Sequence, residues 1–410
     1  MTAAKFPHIT ERPITWQVKE ELAAGRPFPA TGDIFHVALN AVLAFSFGFK
    51  FSHNATEPQI RRLKDLPRTG TLWNGRGADE DRPMNFPHAE INQAIEAMLE
   101  LGDSMEQVKS APSPRMKWCD NRVWVRSAVD RIVDGEDSHA QKEGRRPAFF
   151  SKAVMDEVFG FIVAGHDTMS TTMCRGVKLL ADHPDWQSQL WQSQLWQSQL
   201  QQALLAALGS AAAEKRAPTV EEIMQTSVSL VDATMEEILR CGGTVPIMDR
   251  EATRETTLLG HRIPKGTLIF FLQNSHSMLS PGLNVDKSHC SPHSRPAMEL
   301  GQAPQAPRSW NDLDIDQFKP GRWLVSENTD QGGSLVFKPQ AGPCIPFGLG
   351  IRTCFGRRLA YVEFRIMLAM IVWHFELLKC PDAMSGYGGC LAVVNKPPQC
   401  FVRLRKVVIQ

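Results

Sequence analysis

The sequence has almost no net charge: 45 lysines and arginines stand against 44 aspartates and glutamates, a formal charge of +1. Nothing in that balance suggests a general nucleic-acid surface, and 43% hydrophobic residues argue against a disordered chain. The nine cysteines, at positions 119, 174, 241, 290, 344, 354, 380, 390 and 400, form no Cys-x-x-Cys pair and no dense cluster. That spacing argues against a zinc module and against a secreted disulfide scaffold. No segment reaches the roughly 18 uninterrupted apolar residues of a membrane-spanning helix, and the first residues hold no stretch of signal-peptide length. The nearest candidate, 37–51, is broken by Asn40, Ser46 and Lys50 and suits a buried helix. By itself the chain reads as soluble and cytoplasmic, with no transmembrane anchor and a small molecule as its partner. A length of 410 residues allows one large domain or two to three ordinary ones, and composition does not choose.

Apolar periodicity predicts helices over 31–51, with Asp33 as a cap, over 88–105 and over 120–133, followed by a solvated linker at 135–147. A long helix is expected over 149–180, with Ser151 as N-cap and Pro184 beyond its end. Residues 186–200 repeat Trp-Gln-Ser-Gln-Leu three times. A period of five spirals around a helix instead of forming one stripe, so ten of these residues read as a recent duplication or a sequence-assembly artefact, with a partner-binding aromatic helix as the sharper alternative. A further helix is expected over 220–240, with Thr219 and Glu222 as a capping box, and strands around the turn Pro264-Lys265-Gly266. Residues 281–307, rich in Pro, Ser and His, read as a surface insertion whose His289, Cys290 and His293 lack a fourth metal ligand nearby. A helix from Cys354 to about Leu378 and a hairpin-like alternating tail over 386–408 close the chain.

One cysteine has neighbours that carry chemistry. Cys354 lies in Pro-Phe-Gly-Leu-Gly-Ile-Arg-Thr-Cys-Phe-Gly, residues 346–356, just ahead of that last helix. Gly348, Gly350 and Gly356 allow tight turns and close approach to a flat macrocycle, and Arg352 can reach an anionic haem propionate. A sulfur near a helix start is stabilised as thiolate, the ligand that favours O–O cleavage on haem iron. Phe347, Gly350, Arg352, Cys354 and Gly356 fill every fixed position of Phe-x-x-Gly-x-Arg-x-Cys-x-Gly. The sequence therefore resembles the cytochrome P450 family, whose ligand pattern this is.

Three further segments match in the family's order. Ala164-Gly165-His166-Asp167-Thr168 resembles the distal oxygen-activation motif, with small residues leaving room above iron and Asp167 and Thr168 delivering protons. Met169 stands where relatives often carry a second hydroxyl residue. Glu237 and Arg240 match Glu-x-x-Arg, and Phe318-Lys319-Pro320-Gly321-Arg322-Trp323 matches Phe-x-Pro-x-Arg-Trp. The resemblance makes Glu237, Arg240 and Arg322 a buried structural triad. Residues 244–248 resemble the loop that contacts substrate, with Phe161 and Ala164 also on the pocket wall, and Arg250 resembles a second propionate partner.

The resemblance implies a single, mainly α domain with a small β portion, the cytochrome P450 fold with its N-terminal part missing. Its motifs lie within 147–408, while 30–135 is a generic helical region. Trp118, Arg122 and Trp124 do not replace the early Trp and Arg that hold propionates in the family. The implied activity is haem-thiolate monooxygenation of an apolar small molecule, in secondary metabolism, using O2 and electrons from NADPH through a flavoprotein reductase. That reductase would dock near Arg357 and Arg358, at the endoplasmic reticulum membrane. Two alternatives stay open: a truncated, non-catalytic member with weak or no haem binding, and a reductase-independent isomerase or dehydratase.

Overall fold

The structure is a computed structural model that describes residues 12–48, 54–66, 81–91, 93, 95, 96, 127–184, 196–258, 260–272, 279, 280, 314–327, 334–339, 342, 344–391 and 394–409. These residues are mainly helical, with small sheets. In chain order they form α1 (Arg12–Ala23), β1 (Phe28–Pro29), α2 (Thr31–Phe47), α3 (Glu57–Lys64), α4 (Ala128–Glu143) and α5 (Lys152–Asp182). Then come α6 (Trp196–Ala207), α7 (Gly209–Ala213), α8 (Val220–Gln225), α9 (Ser229–Gly242), β2 (Ile247–Glu251), β3 (Thr256–Leu258), β4 (His261–Ile263) and β5 (Leu268–Leu272). The last are β6 (Leu324–Glu327), β7 (Ser334–Phe337), α10 (Arg357–His374), β8 (Phe375–Leu378), β9 (Cys390–Leu391), β10 (Asn395–Lys396) and β11 (Phe401–Lys406). They divide into two compact units. The first takes the described residues up to Asp182, Leu204–Ser227 and those from Arg358 onward; the second takes His183–Ala203 and Val228–Arg357.

In the first unit α2 packs along α5. Leu39, Val42 and Leu43 meet Val158 and Ile162, with Ala55 and Val129 closing the cluster. A Cβ on Gly165 would lie 2.9 Å from Val42 Cγ2, so the helices approach through that glycine. Asp33 does not cap α2: no side chain caps that helix, whose N-cap is Ala30. Its buried carboxylate instead accepts from Lys19 Nζ at 2.8 and 2.7 Å and from Trp16 Nε1 at 3.1 Å. A buried ammonium on α1 needs that anion more than a helix end needs one further acceptor. The expected helix over 88–105 is not helical over 88–91, where Ala89 N donates to Gln59 Oε1 at 2.8 Å; residues 93, 95 and 96 are helical, and 97–105 lie outside the described residues.

The expected linker at 135–147 is largely helix. A capping box between Ser127 and Asp130 starts α4, and Gly144, at φ 66°, stops it. Arg145 then pairs with Glu136 and Glu143 at 2.6 Å each. Ser151 caps α5 as expected, its Oγ accepting from Val154 N at 3.3 Å.

Helix α10 is shorter than expected at both ends. It starts at Arg357, and Phe375–Leu378 form strand β8, whose Phe375 and Leu377 turn inward by the period of two. Strand β11 pairs antiparallel with β8, Leu404 opposite Leu377, and with β1, Val402 opposite Phe28. The tail is therefore two structures: β9 and β10 pair as the local hairpin, whereas β11 closes a three-stranded sheet in the order β1-β11-β8.

The expected helix over 220–240 breaks in two, because Thr226 and Val228 are extended. Its start is as anticipated, with Thr219 and Glu222 forming both halves of the capping box. In the second unit β2 pairs with β5, β3 with β4 and β6 with β7, each antiparallel. The third copy of the pentapeptide opens α6: Trp196 and Leu200 are buried, and Trp196 Nε1 donates to Thr234 Oγ1 of α9 at 3.2 Å. Residues 185–195 and 281–307, with His289, Cys290 and His293, lie outside the described residues, as do Trp118, Arg122 and Trp124.

Candidate haem-thiolate site

The Cys354 loop is held by its own backbone. Gly348 N donates to Ile345 O at 2.9 Å, Cys354 N to Phe347 O at 2.8 Å, and Thr353 N to Gly350 O at 3.1 Å. The Thr353 hydroxyl adds bonds to the carbonyls of Phe347 and Gly348, both at 3.2 Å. Gly348 and Gly350 have φ of 69° and 70°, where a side chain would be strained. Met248 packs on the loop, its Cε 3.6 Å from where a Cβ on Gly348 would stand. Arg357 lies over the Phe347 ring at 5.9 Å. Cys354 itself is exposed and precedes α10 by three residues, so its sulfur stands before the helix and not inside its first turn.

In the same unit the sequence-predicted triad is assembled. Glu237 Oε2 accepts from Arg240 Nε at 2.8 Å and Trp323 Nε1 at 2.9 Å. Its Oε1 accepts from Arg240 Nη2 at 2.7 Å, Arg322 Nε at 2.9 Å and the backbone N–H of Lys319 at 2.6 Å. Burial pushes the Glu237 carboxyl up, but the bonds and charges of Arg240, then the Arg322 charge and the Lys319 N–H, hold it below the usual range. The indole of Trp323 and the Lys319 amide are partners that the motif spacing does not reveal. Nearby, burial pushes the Cys344 thiol up to about 12, and the Cys241 thiol also rises. Both are therefore inert thiols, unlike the exposed Cys354.

Residues 244–248 are only partly a loop. Ile247 and Met248 begin strand β2, and Arg250 sits opposite Ile269 in the ladder to β5, its Nη1 donating to Asp249 O at 2.6 Å. Arg352 has no ion pair or hydrogen bond among the described residues, and its guanidinium is free for an acidic ligand group. The exposed sulfur, the two left-handed glycines and this free cation fit an acid-bearing, iron-holding macrocycle.

In the first unit, Ala164 is exposed and Thr168, one turn on in α5, is half-buried, its Oγ1 donating to Ala164 O at 2.7 Å. Ser170 and Thr172 bond back in the same way, to His166 O at 2.6 Å and Thr168 O at 2.8 Å. Asp167 is on the buried side, 3.1 Å from Lys396 Nζ and 3.4 Å from His166 Nδ1. Lys396 was not singled out by sequence, because a lone lysine in an alternating tail has no signal. Phe161 stacks on Phe45 of α2, ring centroids 5.7 Å apart.

The cytochrome P450 family model matches residues 17–278 and 310–398. The chain belongs to the cytochrome P450 family. Among its relatives is the cytochrome P450 monooxygenase TRI13 of Fusarium sporotrichioides, 32% identical over 96% of this chain and 72% of that protein. The Hps1-dma1 cluster cytochrome P450 monooxygenase cyp3.1 of Dothistroma septosporum is 35% identical over 69% of this chain and 87% of that protein. The cytochrome P450 monooxygenase xilC of Penicillium rubens is 29% identical over 95% of this chain and 68% of that protein. With this membership goes the enzyme class, a cytochrome P450 monooxygenase. The family implies a haem-thiolate cofactor, O2 and a reductase. Among the described residues no helix is long and apolar enough to cross a membrane.

Proposed function

We propose that this cytochrome P450 inserts one oxygen atom into an apolar small organic molecule of fungal secondary metabolism, with electrons from NADPH through a flavoprotein reductase at the endoplasmic reticulum. The observation that carries the reading is the Cys354 loop, an exposed thiol on a self-bonded backbone with two left-handed glycines. When bound, the haem supplies oxygen activation, with the thiolate donating electron density through iron.

The chain's own residues hold and supply that centre. Cys354 would hold the iron, while Phe347, Gly348, Gly350 and Gly356 shape the loop around it. Arg352 and Arg250 would neutralise the propionates. Residues 244–248 would border the substrate. Thr168 carries a half-buried hydroxyl on α5, and Asp167 is the carboxylate that would relay protons from solvent to it. Glu237, Arg240 and Arg322 take no part in chemistry; they fix the fold under the loop. Arg357 and Arg358, both exposed, suit docking of an acidic reductase.

The test is the difference spectrum of the reduced protein with carbon monoxide. A thiolate-type Soret band in wild type that is lost in Cys354→Ala supports the assignment. No band in wild type leaves the non-catalytic reading. Turnover with a hydroperoxide alone, without consumption of NADPH, would replace monooxygenation by rearrangement.

A further inference from the structure

The buried partner of Asp167 comes from the far end of the chain. Lys396 belongs to the β9–β10 hairpin, where it pairs with Cys390 while Asn395 pairs with Leu391. Two residues of this size do not hold a cation in place by themselves; helix α5 fixes the hairpin and its approach. Arg175 Nη1 donates to Tyr387 O at 2.6 Å, and its Nη2 donates to Gly388 O at 3.0 Å and Asn395 O at 3.4 Å. Lys178 Nζ donates to Gly386 O, and Tyr387 Oη donates to Asp182 Oδ2 at 2.8 Å. A Cβ on Gly389 would fall 1.9 Å from Asn395 Oδ1, so glycine alone lets Asn395 fold over the turn.

Arg175 and Lys178 are thus committed to carbonyl oxygens, and burial lowers the pKa of both. Lys396 instead reaches a carboxylate. Its Nζ stands 3.1 Å from Asp167 Oδ1 and 5.1 Å from the centre of the Phe35 ring, which in turn packs edge-on with His166, ring centroids 5.2 Å apart. The groups facing Asp167 include the Lys396 ammonium from the hairpin and His166 from its own helix, and the uncharged Phe35 ring of α2 packs against both of these.

We propose that Lys396 is a positioning residue for proton delivery: its ammonium keeps the buried Asp167 ionised and fixed, and the hairpin clamped by Arg175 and Lys178 sets that contact. The proposal rests on the monooxygenase role given to Asp167 above. A buried carboxylate deprived of its cation takes up a proton and ceases to be a base, so the lysine decides the charge state from which Asp167 starts.

The test compares Lys396→Met and Lys396→Arg, alone and combined with Asp167→Asn, in the full chain. Thermal unfolding gives a readout independent of turnover. Lys396→Met is expected to lower the melting temperature more at neutral than at mildly acidic pH, and Asp167→Asn in that background is expected to restore part of the loss. In the haem-loaded enzyme, Lys396→Met keeps the thiolate band. Its product formed per NADPH falls about tenfold, part of what a positioned acid–base contributes, and the pH profile of kcat changes; Lys396→Arg rescues both. Additive effects on unfolding, or unchanged coupling and pH profile with the band retained, overturn the positioning role. If wild type shows no thiolate band, the functional reading falls with the catalytic half, while the unfolding cycle still reports the ion pair.

Discussion

Glu237 accepts five hydrogen bonds from four residues, with both oxygens fully engaged. Removing its charge strips the wholly buried Arg240 of the carboxylate it bonds, whereas Arg322 keeps Asp314 Oδ1 at 3.2 Å. Breaking a buried pair from one side costs about 3–5 kcal/mol. Glu237→Gln should lose a comparable amount by denaturant unfolding, and a loss below about 1 kcal/mol, the size of a surface pair, would contradict that picture. Cysteine chemistry offers a second check at this scale. Cys354 is exposed, whereas Cys174, Cys380 and Cys400 are buried and burial pushes Cys344 and Cys380 up to about 12. Alkylation followed by peptide mapping should label Cys354 well ahead of these four, and haem loading should protect Cys354 selectively.

At the scale of elements, two small features position the first unit. Alanine at 165 would gain up to about 1 kcal/mol of helix propensity, yet overpacking typically costs about 1–3 kcal/mol. With Val42 only 2.9 Å away, the clash should win. Gly165→Ala is expected to be destabilising, and less so when Val42→Ala is already present; equal effects in both backgrounds would mean that α2 does not sense residue 165. Start signals behave differently from packing. Ser127→Ala removes the hydroxyl that accepts from Asp130 N at 3.2 Å and should cost about 1 kcal/mol. A loss indistinguishable from zero in unfolding experiments would show that tertiary contacts alone begin α4.

For the whole molecule, stability should fall on acidification in two stages. Burial lowers the pKa of both His36 and His374, so the unfolded chain binds protons that the folded one refuses. Their contribution is complete above the ordinary histidine value of about 6.5 and is lost as pH falls below it. Glu237, with its carboxyl held low, adds stability above the ordinary glutamate value of about 4.3 that is lost further into acid. Melting temperature measured against pH should bend first near the histidine range and again below the carboxylate range. A flat profile across the upper range would mean that the two imidazoles protonate freely in the fold.

The family, the Cys354 loop and the Glu237, Arg240 and Arg322 set are legible along the chain, because they depend on residue types at short, fixed spacings. Local signals were legible for the same reason: the Thr219 capping box and the Ser151 cap each act across three residues. Contacts distant in sequence were decided only by tertiary structure. Asp33 looks like a cap until Lys19 arrives from another helix, and Phe375–Leu378 continue a helical pattern until β11 offers a strand to pair with. Lys396 has no motif at all; it matters because Arg175 and Lys178, more than 200 residues earlier, pin its hairpin beside Asp167. Periodicity and motifs record what neighbours along the chain prefer, whereas a buried charge takes its partner from wherever packing brings one.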